Sequence, residues 1–555
     1  MGPTHRNKNI VSQPPKPESK TLGGLCCSLL VMIAVALLWP AVFHLRPPAA
    51  HADTYNSQSP HWSHLNVIDS GLELNWIPDA TTKAAAFQWF TQHVDLMMSP
   101  MDNFKNQYSD TTANYLRSLN PSIKSYGYDL DLTMCQSAHC DDTQGPNPYQ
   151  SNLPEDQYLH FSQDTQVDFK ALDGSDLGTV SIPGCPSPNP ITAACRVQTY
   201  IWTAKRWVAN VANASWQQWF ADHLINEMTL NSSGQSVPVD SLELDEHGPG
   251  FSLTMGIGYQ TIILSGGGVR EYYSYIPRNY KTSGFYNYDF LDVLYNTDVV
   301  NWLSYVQSRL AAAGKTLQVN VAGYILEPKG QAQALAAKGV LTEHVSSADV
   351  IIGASQYQQY LTNINQVTAA GGLVNLSGDG CTAGPTGYTA GSYPTSTSRY
   401  QMWNLADYYL MKEPLGSGGI VYFNPNLCIQ PGSATPLSFE NDWLAAFERD
   451  VGQPQAATSV VKQGAIACDP QGYKVFGRQY DQALVLLRPR DGANCTDYGD
   501  STAVSVPLPT TMAILQPDGT LSAPMTSVPV RNAEAVILFP VDATPPATVT
   551  DLQAH

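Results

Sequence analysis

The sequence is poor in positive charge. The whole chain has 29 Lys/Arg and 47 Asp/Glu, of which five and one lie in residues 1–52, so the remainder carries 24 against 46, a formal charge of −22. An acidic surface of this size repels phosphate backbones. We therefore expect no nucleic-acid partner and a substrate that is neutral or cationic.

Several common catalytic signatures are missing. The sequence has no G-x-S-x-G elbow, no Walker loop and no H-E-x-x-H pair, and no dinucleotide-binding glycine fingerprint follows the first predicted strand. Cys135 and Cys140 flank His139, but no second ligand pair follows at zinc-site spacing. We therefore predict that the protein uses neither a cofactor nor a metal ion.

Long apolar segments are also missing, with one exception at residues 22–45. This segment follows a basic leader and precedes an A-x-A cleavage signal at Ala50 and Ala52. The pattern predicts a secretory signal over residues 1–52, and an uncleaved membrane anchor is the alternative. Both place the rest of the chain outside the cytoplasm, secreted or at the cell surface, with membrane contact only through the leader.

Cysteine usage is typical of an exported protein. Eight cysteines remain outside the leader, and an even number in such a chain favours disulfides, although some could be free buried thiols. Sequence alone does not determine their connectivity. Pairing of neighbours would give the bridges 135–140, 185–195, 381–428 and 468–495.

Short apolar runs alternate with amphipathic helical stretches from about residue 70 to 430. This alternation predicts an α/β fold, a (β/α)₈ TIM barrel over residues 53–450, with an open doubly wound sheet as the alternative. For the sixth strand, residues 348–355 compete with 339–345. The eight predicted strands are 93–99, 122–130, 206–213, 239–246, 316–324, 339–345, 371–378 and 418–425.

Two other regions have sequence patterns that differ from that of the predicted barrel. Residues 131–200 form a polar, Pro-rich insertion with four cysteines, which is either a flap over the cleft or a surface loop. Residues 455–541 alternate in period two without a helical pattern, which predicts a small all-β sandwich. The last residues, 542–555, resemble a linker.

Acidic residues are concentrated at the end of the fourth predicted strand, VDSLELDE. Leu242 and Leu244 alternate there with Glu243 and Asp245, so we expect the leucines to face the helices and the acids to face the barrel interior. Barrel enzymes place their active sites at the carboxyl ends of the strands. Glu246 follows at the rim, where a solvated turn residue is also common.

A glycosidase needs a second carboxyl group across the cleft. Glu343, at the end of the sixth predicted strand, is the first candidate, and its competitors are Asp379, Glu327, Asp129 and Asp131. Asn375, Asn426 and four aromatic residues, Trp62, Trp76, Trp403 and Tyr422, could also line a sugar site. The residues predicted to bind sugar hydroxyls are Glu243, Glu246, Asp129, Tyr126, Asn320, Asp379 and Asn424.

Segments of the chain resemble hypothetical glycosyl-hydrolase-like barrel families of secreted bacterial proteins. The segments are YLRSLNPSIKSYGYDLDL, RWVANVANASWQQWFADHLINEM, VDSLELDEHG, GVLTEHV and GGIVYFNP, in that order, and the β-rich tail resembles the sandwich that closes those proteins. Ser241, where the families have glycine, and the cysteine-bearing insertion depart from the pattern. The hallmark positions fall on Asn120, Pro121, Asn213, Trp216, Asp240, Asp245 and Glu343.

The sequence and the resemblance together favour an exported glycoside hydrolase that cleaves an extracellular polysaccharide or oligosaccharide by a two-carboxylate mechanism. In this hypothesis Asp245 is the nucleophile or base and Glu343 the general acid/base, while Glu243 and Glu246 tune charge or hold hydroxyls. A non-catalytic carbohydrate- or cell-wall-binding surface protein on a degenerate barrel is the alternative. A lyase or deacetylase would need a metal ion or a Tyr/His base, for which His247 and His344 are present.

Overall fold

The structure is a computed structural model. The residues that it describes all belong to one unit, residues 56–555. They are residues 65–69, 80–98, 117–130, 133–135, 153–159, 167–171, 176–180, 192, 196, 198–201, 204–229, 239–245, 259–263, 269–273, 288–342, 351, 353–377, 397–413, 418–425 and 443–541.

Eight of the strands form the barrel. In chain order they are β1 Ile68–Asp69, β2 Leu96–Met98, β3 Lys124–Leu130, β9 Ser241–Asp245, β12 Thr316–Asn320, β13 Gly339–Leu341, β14 Leu373–Leu376 and β15 Ile420–Phe423. Strands β4 Thr133–Cys135, β5 Val167–Ala171, β6 Asp176–Val180, β7 Gln198–Ile201, β8 Ala204–Val208, β10 Tyr259–Ile263 and β11 Val269–Tyr273 lie between them. The last six are β16 Ser459–Ile466, β17 Asp469–Gln479, β18 Leu484–Arg488, β19 Val504–Ile514, β20 Met525–Val530 and β21 Glu534–Pro540.

Six α-helices follow the same order along the chain. They are α1 Ala80–His93, α2 Ala214–Glu227, α3 Tyr288–Ala312, α4 Pro328–Ala337, α5 Ala354–Ala369 and α6 Thr397–Met411. Short 3₁₀ turns occur at Glu155–Gln157, Ala322–Leu326, Ala445–Glu448 and Asp500–Thr502.

The barrel is closed, which confirms the predicted fold class. Its strands lie in the order β1-β2-β3-β9-β12-β13-β14-β15, and every neighbouring pair is parallel. A parallel bridge between Val67 and Phe423 joins the last strand to the first, and the Phe423 amide donates to the Asn66 carbonyl at 2.8 Å. This eight-stranded ring excludes the open doubly wound sheet.

One predicted barrel strand is wrong. The predicted run 206–213 overlaps at 206–208 with β8, which pairs antiparallel with β4 and β7 in a separate three-stranded sheet. Residues 209–213 form the turn that leads into α2. The missing eighth strand is β1, a short segment that precedes the first predicted strand, 93–99. Residues 339–341 rather than 348–355 supply the sixth strand.

Alternating side chains separate the two faces of the barrel wall. Leu242 and Leu244 are fully buried in the large core between the strands and the helices. On the other face, Tyr126 and Tyr422 pack with Ile68 and Leu96 in a smaller cluster inside the barrel. The strand period of two therefore places Ser241, Glu243 and Asp245 on the interior side, as the sequence predicted.

Part of the insertion packs against the beginning of α2. The amide of Leu159 donates to the Val208 carbonyl at 2.9 Å, and the amide of Asn210 donates to the Gln157 carbonyl at 2.9 Å. The Arg196 guanidinium lies 3.6 Å from the ring centre of Tyr158 and binds Glu155 through two hydrogen bonds. Because α2 follows β3, this end of the helix lies at the carboxyl-end face of the barrel.

The C-terminal region is a six-stranded antiparallel sheet in the order β16-β17-β18-β21-β19-β20. Strand β19 pairs with β20 along most of its length and with β21 at its end, with a register shift between Pro507 and Met512. Leu484 and Leu486 face the sheet's own core, whereas Val485 and Leu487 join the barrel's core. One face of the sheet therefore packs on the sheet's own core, and the other face packs on the barrel.

One disulfide is present among the described residues, between Cys468 and Cys495. This is one of the four pairs that neighbour pairing gave. Each of the other three expected pairs includes a cysteine outside the described residues. The leader also lies outside them, and no helix in the part that the structure describes is long and apolar enough to span a bilayer.

Candidate active site

The candidate site lies at the carboxyl end of β9, between β3 and β12. In the parallel register Glu243 is level with Gln318 of β12 and with Tyr128 of β3, and Asp245 is level with Leu130. Glu243 is only 3% exposed, whereas Asp245, two residues nearer the mouth, is partly exposed. The strand therefore presents one carboxylate deep in the barrel and one at its opening.

Each of the two carboxylates accepts a hydrogen bond from an amide of β12. The Nε2 of Gln318 donates to Oε2 of Glu243 at 3.0 Å, and the Nδ2 of Asn320 donates to Oδ1 of Asp245 at 2.6 Å. Gln318 is fully buried and Asn320 is 7% exposed. An amide nitrogen in this position stabilises the ionised carboxylate, because it can donate but cannot accept.

Gln318 was not among the predicted site residues. Its signal in the sequence is the alternation in TLQVN, where Leu317 and Val319 face the core and Gln318 and Asn320 face inward. Asn320 was predicted to bind sugar hydroxyls, but its amide nitrogen is directed to Asp245. A buried glutamine becomes informative only when the register with β9 is known.

The end of β13 brings the chain to Glu343. The Thr342 amide donates to the Asn375 carbonyl at 3.0 Å, and the Thr342 hydroxyl lies 3.2 Å from the Tyr360 hydroxyl. Burial, followed by the charge of Asp407, raises the pKa of Tyr360, so this phenol stays protonated. Glu343 itself follows directly and lies outside the described residues.

The other predicted sugar-binding residues have different positions. Tyr126 is level with Ser241, two residues below Glu243, and its ring is part of the barrel core. Asn424 follows β15, and its backbone amide donates to the Leu376 carbonyl at 3.2 Å. Asp129 lies in β3, level with Leu244, but its side chain lies outside the described part, as do Glu246 and Asp379.

Three further candidates are accounted for by the fold. Trp403 is 2% exposed in the core of α6, so it is not available to stack on a sugar. Tyr422 lies inside the barrel, and burial raises its pKa far above the ordinary value. Glu327 is exposed and directly precedes α4, in the segment that follows β12.

Several hallmark residues of the family resemblance have structural roles. The Asn213 side chain caps α2 by accepting from the Trp216 amide at 2.9 Å. The Asp240 carboxylate accepts from the Ser125 amide at 2.9 Å and from Arg117 at 2.6 Å, at the amino end of β9. Asn120 donates to the Thr91 carbonyl at 2.6 Å. Of the hallmark positions in the described residues, Asp245 alone is at the mouth.

No group of three or more His, Cys, Asp or Glu side chains within the described ranges is arranged to hold a metal ion. On the interior side of β9 and β12 the structure places two carboxylates and two amides, one pair deep in the barrel and one pair at its opening. These groups can hold a hydroxyl-rich ligand, transfer protons or act as a nucleophile.

Comparison with known proteins gives structural likenesses without a sequence match. No family model matches the chain, and no curated protein matches it. A GH27 β-L-arabinopyranosidase from Geobacillus stearothermophilus, in complex with arabinose, aligns at 8% identity and a TM-score of 0.42, covering 87% of this chain and 97% of its own.

Two glucanotransferases are also similar in structure. A cycloisomaltooligosaccharide glucanotransferase from Paenibacillus sp., complexed with cycloisomaltoheptaose, aligns at 11% identity and a TM-score of 0.31, covering 86% of this chain and 55% of its own. A cyclomaltodextrin glucanotransferase with a three-domain ABC distribution aligns at 9% identity and a TM-score of 0.36, covering 87% and 95%.

Proposed function

We propose that the protein is a glycoside hydrolase in which Asp245 and Glu343 are the two reacting carboxyl groups. The observation that carries this proposal is the pair of inward carboxylates on β9, at the carboxyl end of a closed barrel, each bound by an amide of β12. Glycosidases work through two carboxyl groups on opposite sides of the scissile bond. Asp245 is on the fourth strand of the barrel and Glu343 follows the sixth, so the interior lies between these two strands.

The two carboxyl groups have separate roles. Asp245 accepts a hydrogen bond from Asn320, which fixes the orientation of its carboxylate at the mouth, as a nucleophile or a base requires. Glu343 then supplies the proton to the leaving oxygen. If Asp245 attacks the sugar directly, the product retains its configuration, and if it activates a water molecule, the product is inverted.

We further propose that the protein is exported and acts on a polysaccharide or oligosaccharide outside the cytoplasm. The charge outside the leader favours a neutral or cationic glycan. The leader supports export, and amino-terminal sequencing of the protein recovered outside the cell would show whether it is cut after Ala52. Recovery of the protein only from the cytoplasm would contradict export.

The test is hydrolysis of a panel of neutral and amino-sugar polysaccharides and 4-nitrophenyl glycosides by the full chain. We expect Asp245→Asn and Glu343→Gln each to lower kcat by roughly 10²-fold or more, because each removes a group needed in the transition state. Glu327→Gln is the matched control, since it neutralises an exposed acid at the beginning of α4 and should leave kcat unchanged.

Two results would reject the proposal. One is full activity of both Asp245→Asn and Glu343→Gln on the glycan that the wild type cleaves. The other is glycan binding without any cleavage across the panel, which is what a non-catalytic carbohydrate-binding protein predicts. Proton NMR of the anomeric signals in the first minutes of the reaction would distinguish retention from inversion.

A further inference from the structure

We propose that Gln318 and Asn320 are positioning residues that hold Glu243 and Asp245 in place as anions, so that β12 supports the reacting strand. This inference rests on the proposed function, and it assigns to Gln318 a role that the sequence did not indicate. Two contacts carry it, the 3.0 Å bond from Gln318 to Glu243 and the 2.6 Å bond from Asn320 to Asp245.

The register of the two strands makes the contacts specific. Glu243 is paired with Gln318 and Leu244 with Val319 in the parallel ladder, so Asp245 and Asn320 come next. Leu317 and Val319 are fully buried on the opposite face, in the core between strand and helix. The two amides are therefore held at the height of the two carboxylates and cannot move along the barrel axis without breaking that core.

The orientation of the Gln318 amide indicates the charge of its partner. Its nitrogen points to Glu243, while its buried Oε1 has no hydrogen-bond partner. An unpaired buried acceptor costs about 1–3 kcal/mol. Rotating the amide by half a turn would place that oxygen against the carboxylate of Glu243 and remove the donor. With its nitrogen toward Glu243, the amide complements a negatively charged carboxylate.

Two fixed anions one above the other suit the chemistry of the proposed site. The transition state of glycoside hydrolysis carries positive charge on the sugar ring. Asp245 would meet that charge directly, and Glu243, buried two residues below, would stabilise it through a medium of low polarity. The amides of β12 lower the cost of holding two like charges close together before the substrate binds.

The sharpest experiment exchanges the two partners. Glu243→Gln combined with Gln318→Glu keeps one carboxyl and one amide at the same height in the barrel but moves the charge from β9 to β12. We expect the exchange to restore most of the thermal stability that each single variant loses. We expect kcat to remain at least about tenfold below the wild type, because the charge no longer lies beneath Asp245.

A second pair of variants separates positioning from stability. Gln318→Met removes the amide from β12, and Gln333→Met makes the same change at a fully buried glutamine of α4 that is not part of the site. Both should lower the melting temperature. Only Gln318→Met should lower kcat, with KM within about twofold of the wild type, since the lost interaction acts through Glu243.

Asn320→Leu tests the upper pair. The variant removes the donor to Asp245, so kcat should fall at least about tenfold while KM stays within about twofold of the wild type, since the amide acts through Asp245. Asn320→Gln, which keeps an amide on a side chain one methylene longer, should retain more of kcat than Asn320→Leu. Equal kcat in the two variants would show that residue 320 only fills space.

The outcomes separate this inference from the proposed function. An inactive wild type rejects the proposed function, and in that case an additive stability cycle for Glu243 and Gln318 overturns the pairing, whereas a coupled cycle supports it. If the wild type is active and both Gln318→Met and Asn320→Leu keep its kcat, positioning is overturned and the proposed function stands. An exchanged variant with full activity would show that the role of the pair is structural.

Discussion

At the scale of single residues, the pH dependence of stability should be visible at His93. This residue ends α1, where its ring stacks on Trp89 with centroids 4.0 Å apart and its Nδ1 donates to the Trp89 carbonyl at 2.8 Å. Burial lowers the pKa of His93 to about 4. The unfolded chain therefore takes up the proton first as the pH falls below about 6.5, and the folded state loses stability down to about pH 4.

We expect this histidine to account for about 2 kcal/mol of the stability lost between pH 6.5 and pH 4, allowing for its partial exposure. His93→Phe keeps the stacking on Trp89 and cannot titrate. Urea unfolding of the two proteins at a series of pH values measures the difference in slope. Parallel stability curves for His93→Phe and the wild type across that range would show that the imidazole does not titrate as proposed.

The residues of the candidate site differ in how far the sequence could predict them. Glu243 and Asp245 followed from alternation with two leucines in a strand, which is a local pattern. Gln318 could not be predicted, because its significance depends on the register between β9 and β12, and the two strands are separated by about seventy residues of chain. The role of Asp240 depends in the same way on distant partners, Ser125 and Arg117, whereas the N-cap role of Asn213 is local to α2.

At the scale of elements, the sequence predicted the barrel and misplaced one strand. Residues 206–213 are apolar and lead into a helix, as a barrel strand does, but only two residues separate β7 from β8, and these two strands pair as a hairpin. Strand β1 has two residues with ladder pairing to β2, too few for periodicity to reveal. It is recognised only through its partners in the closed ring.

Helix α5 contacts the end of β13, directly before the proposed acid. Tyr360 of α5 places its hydroxyl 3.2 Å from that of Thr342, the last described residue before Glu343. Tyr360→Phe should lower the unfolding free energy by about 1 kcal/mol and reduce kcat a few-fold, because the strand end that carries the proposed acid loses one of its contacts.

The matched control for Tyr360→Phe is Tyr305→Phe on α3, where the hydroxyl accepts from Arg309 at 2.8 Å at a partly exposed position. This change should alter stability by less than about 0.5 kcal/mol and leave kcat unchanged. Calorimetry and the hydrolysis assay report the two quantities separately. Equal effects of the two tyrosine changes on kcat would remove the link between Tyr360 and the site.

At the scale of the whole molecule, the barrel and the C-terminal sheet share one hydrophobic core. Val485 and Leu487 of β18 and Ile537 of β21 join the core that surrounds the barrel strands. Residues 400–411 of α6 are buried throughout, which is possible only because the barrel covers one side of this helix and the sheet covers the other. Neither part could keep its apolar surface covered alone, so we expect the two to unfold in one transition.

Arg478 of β17 offers the sharpest test of this shared core. Its buried guanidinium donates to the Tyr409 carbonyl at 3.1 Å and to the Lys412 carbonyl, where α6 ends and its carbonyls lack helical partners. Arg478→Met should remove the arginine donor from both carbonyls, although the Tyr480 hydroxyl still donates to the Tyr409 carbonyl at 2.6 Å, and lower the unfolding free energy by about 1–3 kcal/mol. The single calorimetric transition should move to lower temperature without splitting. A transition that splits in two, with the sheet melting alone, would contradict the shared core.

Arg531→Met controls for the loss of an arginine as such. Arg531 binds Asp500 and Glu534 at the surface of the same sheet, where ion pairs contribute at most about 1 kcal/mol. Its removal should therefore shift the transition much less than that of Arg478, although the number of lost ion contacts is larger. The contrast follows from burial, because water replaces the partners that Arg531 loses but cannot reach the end of α6 beneath the sheet.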